Sequence, residues 1–391
     1  MSKLTFFRAF SPVMIMTGLV AVLVGYASSV AIILQALNVA GLDAAQTGGW
    51  LMMLGIGMGV TTIGLSLWYK MPVLTAWSTP GIALLVTSLS GVTINEAVGV
   101  FIFASGLMFL CGVTGIFARL INYIPRALAS AMLAGILLRF GLTAFGALNT
   151  SFVLCAAMIA AYVVMRRIFP LYAIIAALIT GITVTGLSGD LHFVRAGNVF
   201  ALPEFVMPSF TLTSLISVGI PFFIVSLASQ NAPGIAILQA NGYPPHTSVL
   251  LSCSSLAAIL LAPWGGFSIC IAAITAAICM APDVHPDPAR RYTAAVWAGI
   301  FYLLAGIFGG AVLMLFNAFP AVLIQILAGL ALLTTLMNSL HQSLADEKGR
   351  DAAIICFLLT ASGITLLGIS SAFWGLLAGI VVHQIMAIRR G

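Results

Sequence analysis

The sequence predicts an all-α polytopic membrane protein of fourteen transmembrane segments, arranged as a 7+7 inverted repeat with half-helices at segments 3 and 10. Three observations lead there. First, 62% of the 391 residues are apolar and only 6% are charged, against roughly 25% charged residues in an ordinary soluble domain. Fifteen basic and nine acidic side chains cannot clothe a water-soluble surface of this size, so lipid is the solvent for most of it. Second, apolar runs recur at about 20 residues, the length that crosses a hydrocarbon core as a helix, and not as the ten-residue alternation of a membrane barrel. Third, two runs are too short to cross, begin in Pro/Gly-rich sequence and hold corresponding places in the two halves.

Taken in order, run one covers 12–37 and follows Lys3 and Arg8; it is too long for the apolar part of a signal peptide and reads as a span. Run two covers 47–68. Run three, 79–90, opens on Trp77-Ser78-Thr79-Pro80-Gly81-Ile82 and is one of the short runs. Runs four to seven cover 96–118, 126–146, 150–167 and 170–187. The longest break follows, with Asp190, His192, Arg195, Pro203, Glu204 and Pro208. Runs eight and nine cover 211–240 and 246–262; run ten, 266–281, opens on Trp264-Gly265-Gly266-Phe267-Ser268-Ile269 and is the second short run. Runs eleven to fourteen cover 291–315, 319–339, 352–367 and 370–388. The chain therefore divides into a first repeat at 1–190, an external linker at 191–210 and a second repeat at 211–391.

With the N-terminus cytoplasmic, 13 of the 15 Lys and Arg residues fall on the inner side, as the positive-inside rule requires. Arg195 is left outside and Arg139 within run five, and both termini are expected in the cytoplasm. Seven crossings before the linker turn the second half upside down, the inverted-repeat design of secondary transporters. A trace of the repeat survives where Ile33-Leu34-Gln35-Ala36 matches Ile237-Leu238-Gln239-Ala240.

The net charge of +6 is spent on loop anchoring, so no nucleic-acid partner is expected. Cys111, Cys155, Cys253, Cys270, Cys279 and Cys356 are scattered singly, without metal spacing; neither a metal nor a cofactor is expected. Gly186-Leu187-Ser188-Gly189 fits a GxSG serine-protease pattern but leads straight into a polar loop, and neither HExxH nor a phosphate-binding loop occurs. Catalytic residues are therefore not assigned.

A helix that starts inside the membrane leaves about four N–H groups unpartnered and puts roughly half a positive charge at that end. Ser78, Thr79, Gly81, Gly265, Gly266, Phe267 and Ser268 mark two such starts, and small residues there would let an anion approach the backbone. Run eight carries Ser229-Gln230-Asn231-Ala232-Pro233-Gly234 at mid-span, where polar side chains face a cavity or the protein interior. Gln230 and Asn231 are candidate ligand contacts, with Tyr26 of run one facing the same region. Arg139 is a candidate partner for a carboxylate, with snorkelling or pairing to Glu96 as the alternative. Glu96 and His383 are candidates for proton coupling, with helix capping or a plain polar contact as the alternative.

Ser226 through Gly242-Tyr243, with Gln230-Asn231-Ala232-Pro233-Gly234 inside it, and His285-Pro286-Asp287-Pro288-Ala289-Arg290-Arg291-Tyr292 resemble the benzoate:proton symporter family of bacterial inner membranes. The resemblance extends over essentially the whole chain. It implies uptake of benzoate, an aromatic monocarboxylate, with protons, on a fold similar to nucleobase transporters and anion exchangers. In that fold segments 1–4 and 8–11 form a core domain, segments 5–7 and 12–14 a gate domain, and substrate lies between the two half-helices. The nucleobase relatives look to acidic residues on segments 8 and 10, where this chain reads Gln230-Asn231 and no carboxylate; that departure favours an anionic substrate. A nucleobase carrier and an uncoupled anion facilitator are the alternatives. Asp287, Arg290 and Arg291 are expected as an inner gate latch between core and gate, or else as a charge anchor with a helix cap. The expected partners are the substrate, protons and the lipid bilayer, with a homodimer as the assembly.

Overall fold

The computed structural model describes residues 12–117, 126–191, 200–367 and 371–388, without the side chains at 27, 28, 126, 171, 348, 387 and 388. Lys3, Arg8, Arg119, His192, Arg195, Arg389 and Arg390 lie outside the described residues. The chain is mostly helical. In order, the segments are α1 (Pro12–Val39), α2 (Ala44–Tyr69), strand β1 (Thr75–Trp77), α3 (Thr79–Ser88), α4 (Ile94–Thr114), α5 (Arg126–Gly146), α6 (Phe152–Ile168) and α7 (Ala173–Ser188). There follow α8 (Leu212–Ala240), α9 (Thr247–Leu261), strand β2 (Ile269–Ile271), α10 (Ile274–Met280), α11 (Tyr292–Ile307, continued as Gly309–Asn317), α12 (Ala321–Leu344), α13 (Arg350–Ser362) and α14 (Ser371–Ile388). Among the described residues six helices are long and apolar enough to cross a membrane, or up to eight when two bent pairs count as one span each.

Two short strands pair deep in the molecule. β1 runs antiparallel to β2 in the register Thr75↔Ile271, Ala76↔Cys270 and Trp77↔Ile269, and all six residues are buried. Extended backbone at membrane depth survives only where protein satisfies its polar groups, and α2 does this for β1. Thr62 Oγ1 accepts from Thr75 N at 2.9 Å, and Ser66 Oγ donates to Val73 O at 2.9 Å. The Thr75 hydroxyl donates to Met58 O at 3.0 Å, and Ala272 N lengthens the ladder by donating to Leu74 O at 2.9 Å.

The short helices depart from expectation on one side only. α3 begins where the sequence places it, because Ser78 is an N-cap whose Oγ accepts from Gly81 N at 3.1 Å and Pro80 sits in the first turn, where its missing N–H costs nothing. The second start is corrected: Gly265 caps a 3₁₀ turn, 266–268 is irregular, 269–271 is strand, and helix begins only at Ile274. Gly265 (φ +93) and Ser268 (φ +60) hold left-handed conformations that stop a helix from starting there.

Runs eight and eleven lie where expected to within about two residues but depart from straight α-helix inside those bounds. Run eight is widened, not broken: π turns at Leu215–Gly219 and Leu227–Asn231 each precede a proline by two residues, Pro221 and Pro233. The wider turn makes room for a ring that would otherwise meet the carbonyl four residues back. Run eleven bends by 67° at Phe308. Beyond the bend Gly309 lies so close to α2 that a Cβ there would stand 2.8 Å from Gly48 O.

Helix contacts recur with a shift of seven segments. α2 packs on α11 as α9 packs on α4, α6 on α7 as α13 on α14, and α1 on α3 as α8 on α10, while α5 packs on α12. α3 and the second π turn of α8 both touch α5, and α1 touches α12.

Candidate functional site

The two half-crossings are locked to each other at the start of α3. Ser78 N donates to Ser268 Oγ at 2.9 Å, and Thr79 Oγ1 and Ser29 Oγ of α1 lie 2.7 Å apart in a hydrogen bond. Tyr26, one turn earlier on α1, sets its ring edge-on to Trp77 at 4.8 Å, and its buried hydroxyl has no partner among the described residues. The structure thus brings Tyr26, Ser78, Thr79 and Ser268 together. Ser29 was not anticipated, since nothing but its contact with Thr79 marks it.

The polar stretch of α8 divides into two roles. Asn231 is buried and uses both ends of its amide on protein: Oδ1 accepts from Ile271 N at 2.9 Å, and Nδ2 donates to Ser226 O at 3.2 Å and to Met108 Sδ at 3.7 Å. It supports β2, which has no other side-chain acceptor for that N–H, and so it is not free to hold a ligand as expected. Gln230 is half-buried in a π turn that touches α3 and α5, and its amide has no hydrogen-bond partner among the described residues.

The glycines expected to admit a ligand instead admit protein. A Cβ on Gly81 would stand 2.8 Å from the Phe222 ring and 2.9 Å from Ser226 Oγ; Gly265 lies under the Trp50 indole and Gly266 against Leu261. Phe267 is fully buried, stacked on Phe101 at 4.4 Å with Trp50 at 5.8 Å, and belongs to the apolar interior. Beside it, a cavity of about 20 Å³ between α4, α8, α9 and β2 exposes Ser226 and Ser255, whose hydroxyls lack partners among the described residues. That volume holds about one water.

The outlying candidates are accounted for by local structure. Glu96 closes a capping box: its carboxylate accepts from Thr93 N at 3.0 Å and Thr93 Oγ1 at 2.9 Å, and from Thr211 Oγ1 at 2.8 Å. It makes no ion pair with Arg139, which donates to the α13 carbonyls of Ala361 and Ser362. His383 lies in α14 without a hydrogen bond among the described residues.

The residues expected as a latch, or else as a charge anchor with a helix cap, bond locally. Asp287 caps the turn Pro288–Arg290 and pairs with Arg290 at 3.5 Å. Arg291 donates to Met280 O, the last residue of α10, and to His285 O, each at 2.8 Å. Tyr243 donates to Pro288 O at 2.9 Å, and burial raises its phenol pKa, which keeps the O–H a donor. All these bonds stay within α8–α11, and among the described residues none reaches α5–α7 or α12–α14. A cation at the negative end of a half-helix explains Arg291 without a gate.

Every one of the nine acidic residues lies in a loop or at a helix start: Asp43, Glu96, Asp190, Glu204, Asp283, Asp287, Asp346, Glu347 and Asp351. The interior around the paired strands therefore carries no carboxylate; its polar groups are neutral. Two broken crossings joined by a buried ladder, enclosed by membrane-length helices and lined by neutral polar groups, define a membrane transporter. The chain belongs to the benzoate membrane transport family, BenE, whose pattern matches residues 8–385; it is a transport protein and not an enzyme.

It is 53% identical over 383 residues to "Inner membrane protein YdcO" of Escherichia coli (strain K12), covering 97% of each chain. It is 38% identical over 369 residues to the "Benzoate membrane transport protein" of Acinetobacter baylyi (strain ATCC 33305 / BD413 / ADP1), covering 94% of each. In fold it is similar to the transmembrane domain of the cyanobacterial bicarbonate transporter BicA (TM-score 0.60, 13% identity, covering 95% of this chain and 97% of that one). It is also similar to SLC26A9 (TM-score 0.61, 14% identity, covering 96% of this chain and 66% of that one).

Proposed function

We propose that the protein carries an aromatic monocarboxylate, benzoate foremost, across the bacterial inner membrane together with protons. The observation that carries the anion part is the placement of every acidic residue away from the paired strands. A carboxylate at that depth would repel an anionic substrate, whereas the neutral amide of Gln230 and the N-terminus of α3 would not. Gln230 is the ligand contact on α8; Thr79 and Tyr26 complete the site from α3 and α1. Asn231, Ser78 and Ser268 hold its frame. The name of the 38%-identical relative supports benzoate.

We read the fold as fourteen spans in a 7+7 inverted repeat, and the recurrence of helix contacts at a shift of seven supports that reading. α1–α4 and α8–α11 then form the core, α5–α7 and α12–α14 the gate, and transport is movement of one against the other. The capping work of Glu96 leaves His383 and the substrate's own carboxyl as proton carriers. Uptake of labelled benzoate into proteoliposomes, with and without an inward proton gradient and with excess uracil, tests this. Gradient-driven accumulation that uracil leaves untouched is expected. Equilibration without accumulation would contradict coupling, and block by uracil would contradict the substrate.

A further inference from the structure

A second cavity lies apart from the paired strands, at the seam where α1 and α3 meet α5 and α12. It measures about 150 Å³ and is walled by Gln35, Val86, Thr87, Arg139, Phe140 and Gln325 among others. Arg139 is the one charged side chain in the wall. Its guanidinium rests over Gly363, the left-handed cap of α13, and is held by two long bonds, Nε to Ala361 O at 3.4 Å and one terminal nitrogen to Ser362 O at 3.3 Å. The other terminal nitrogen, Nη1, has no acceptor, and no carboxylate pairs with Arg139 among the described residues. Across the cavity, Gln35 Nε2 is buried and also without a partner.

We infer that this cavity is a second anion site, distinct from the one at Gln230, and that it takes a monocyclic aromatic carboxylate. The Arg139 guanidinium is exposed and rests on the carbonyl end of α13; its spare terminal nitrogen and planar fork suit a carboxylate. Gln35 and Gln325 add polar wall. Phe140 and Val86 supply an apolar surface, and a cavity of about 150 Å³ is large enough for a benzene ring. Because its walls belong to both sides of the core and gate division, an anion bound there meets the protein before the two bodies move apart. The site therefore sets the apparent affinity for substrate and not the maximal rate.

Equilibrium binding of labelled benzoate to the purified full chain in lipid nanodiscs tests the inference. Two classes of site are expected in the wild type. Arg139→Gln should remove one class and raise the transport KM at least tenfold with little change in maximal rate, and Arg139→Lys should restore part of it. Benzamide, a ring without charge, and acetate, a charge without a ring, should compete poorly for that class. Gln230→Ala should remove the other class; if it leaves both intact while Arg139→Gln removes one, the central reading fails and this one stands. An unchanged isotherm in Arg139→Gln, removal of one and the same class by Arg139→Gln and Gln230→Ala, or no saturable binding to the wild type would overturn the second site. Should Arg139→Gln not fold, Gln35→Leu and Gln325→Leu take its place, with a several-fold loss of affinity expected and unchanged affinity overturning the inference.

Discussion

The side-chain oxygen of Asn231 accepts the backbone N–H of Ile271 at 2.9 Å, across 40 residues of sequence. Through that bond a π turn of α8 carries the strand that leads into the second half-crossing. Its neighbour Gln230, one residue back in the same π turn, is half-buried and has no hydrogen-bond partner for its amide among the described residues. Scaffold and site are thus adjacent in the chain and separable by substitution.

Asn231→Leu strands the Ile271 N–H in a buried place and is expected to cost about 1–3 kcal/mol, whereas Gln230→Leu should change stability by only about 0.5 kcal/mol. Thermal unfolding in detergent, followed by tryptophan fluorescence, measures both. Equal losses in the two variants would contradict the division of roles.

Gly81→Ala drives a methyl against the Phe222 ring and Ser226 Oγ, and overpacking of this kind costs about 1–3 kcal/mol. A lowered melting temperature is expected, relieved in part by Phe222→Leu, which makes space at the contact. A second-site change that brought no relief would show that α8 does not press on Gly81.

Arg291→Ala removes two hydrogen bonds from the end of α10 and the turn after it, and a loss of about 1–3 kcal/mol is expected. The KM for substrate should stay within twofold in the fraction that folds. A large change in KM with stability intact would restore the gate latch.

Glu96→Gln keeps an acceptor for Thr93 N and turns the bond to Thr211 round, its amide N–H donating to that hydroxyl, and Gln serves in a capping box as Glu does. The variant is expected to fold and to keep the wild-type dependence of uptake on pH. Loss of proton dependence in Glu96→Gln would make Glu96 the carrier.

What could be read from sequence follows the range over which each residue acts. Ser78-Thr79-Pro80 announces its helix start because cap and proline act within one turn, and Asp287 with Arg290 pairs locally at i,i+3. Gly265-Gly266 looked alike on paper, yet the three-residue strand after it is too short to show a period, and its partner β1 lies almost 200 residues earlier. Arg139 stood out as a charge in a span, but its acceptors at Ala361 and Ser362 come from the far end of the chain. Gln35 sat in plain view within the repeat Ile33-Leu34-Gln35-Ala36, and only the cavity beside Arg139 shows what it faces.

The most direct measurement is uptake of labelled benzoate into proteoliposomes holding wild type or Gln230→Ala, matched for folded protein by thermal unfolding and driven by an inward proton gradient. Accumulation above equilibrium in the wild type and its loss in a stable Gln230→Ala variant are expected. Wild-type uptake rates and accumulation in Gln230→Ala would contradict the placement of the substrate between α3 and α8.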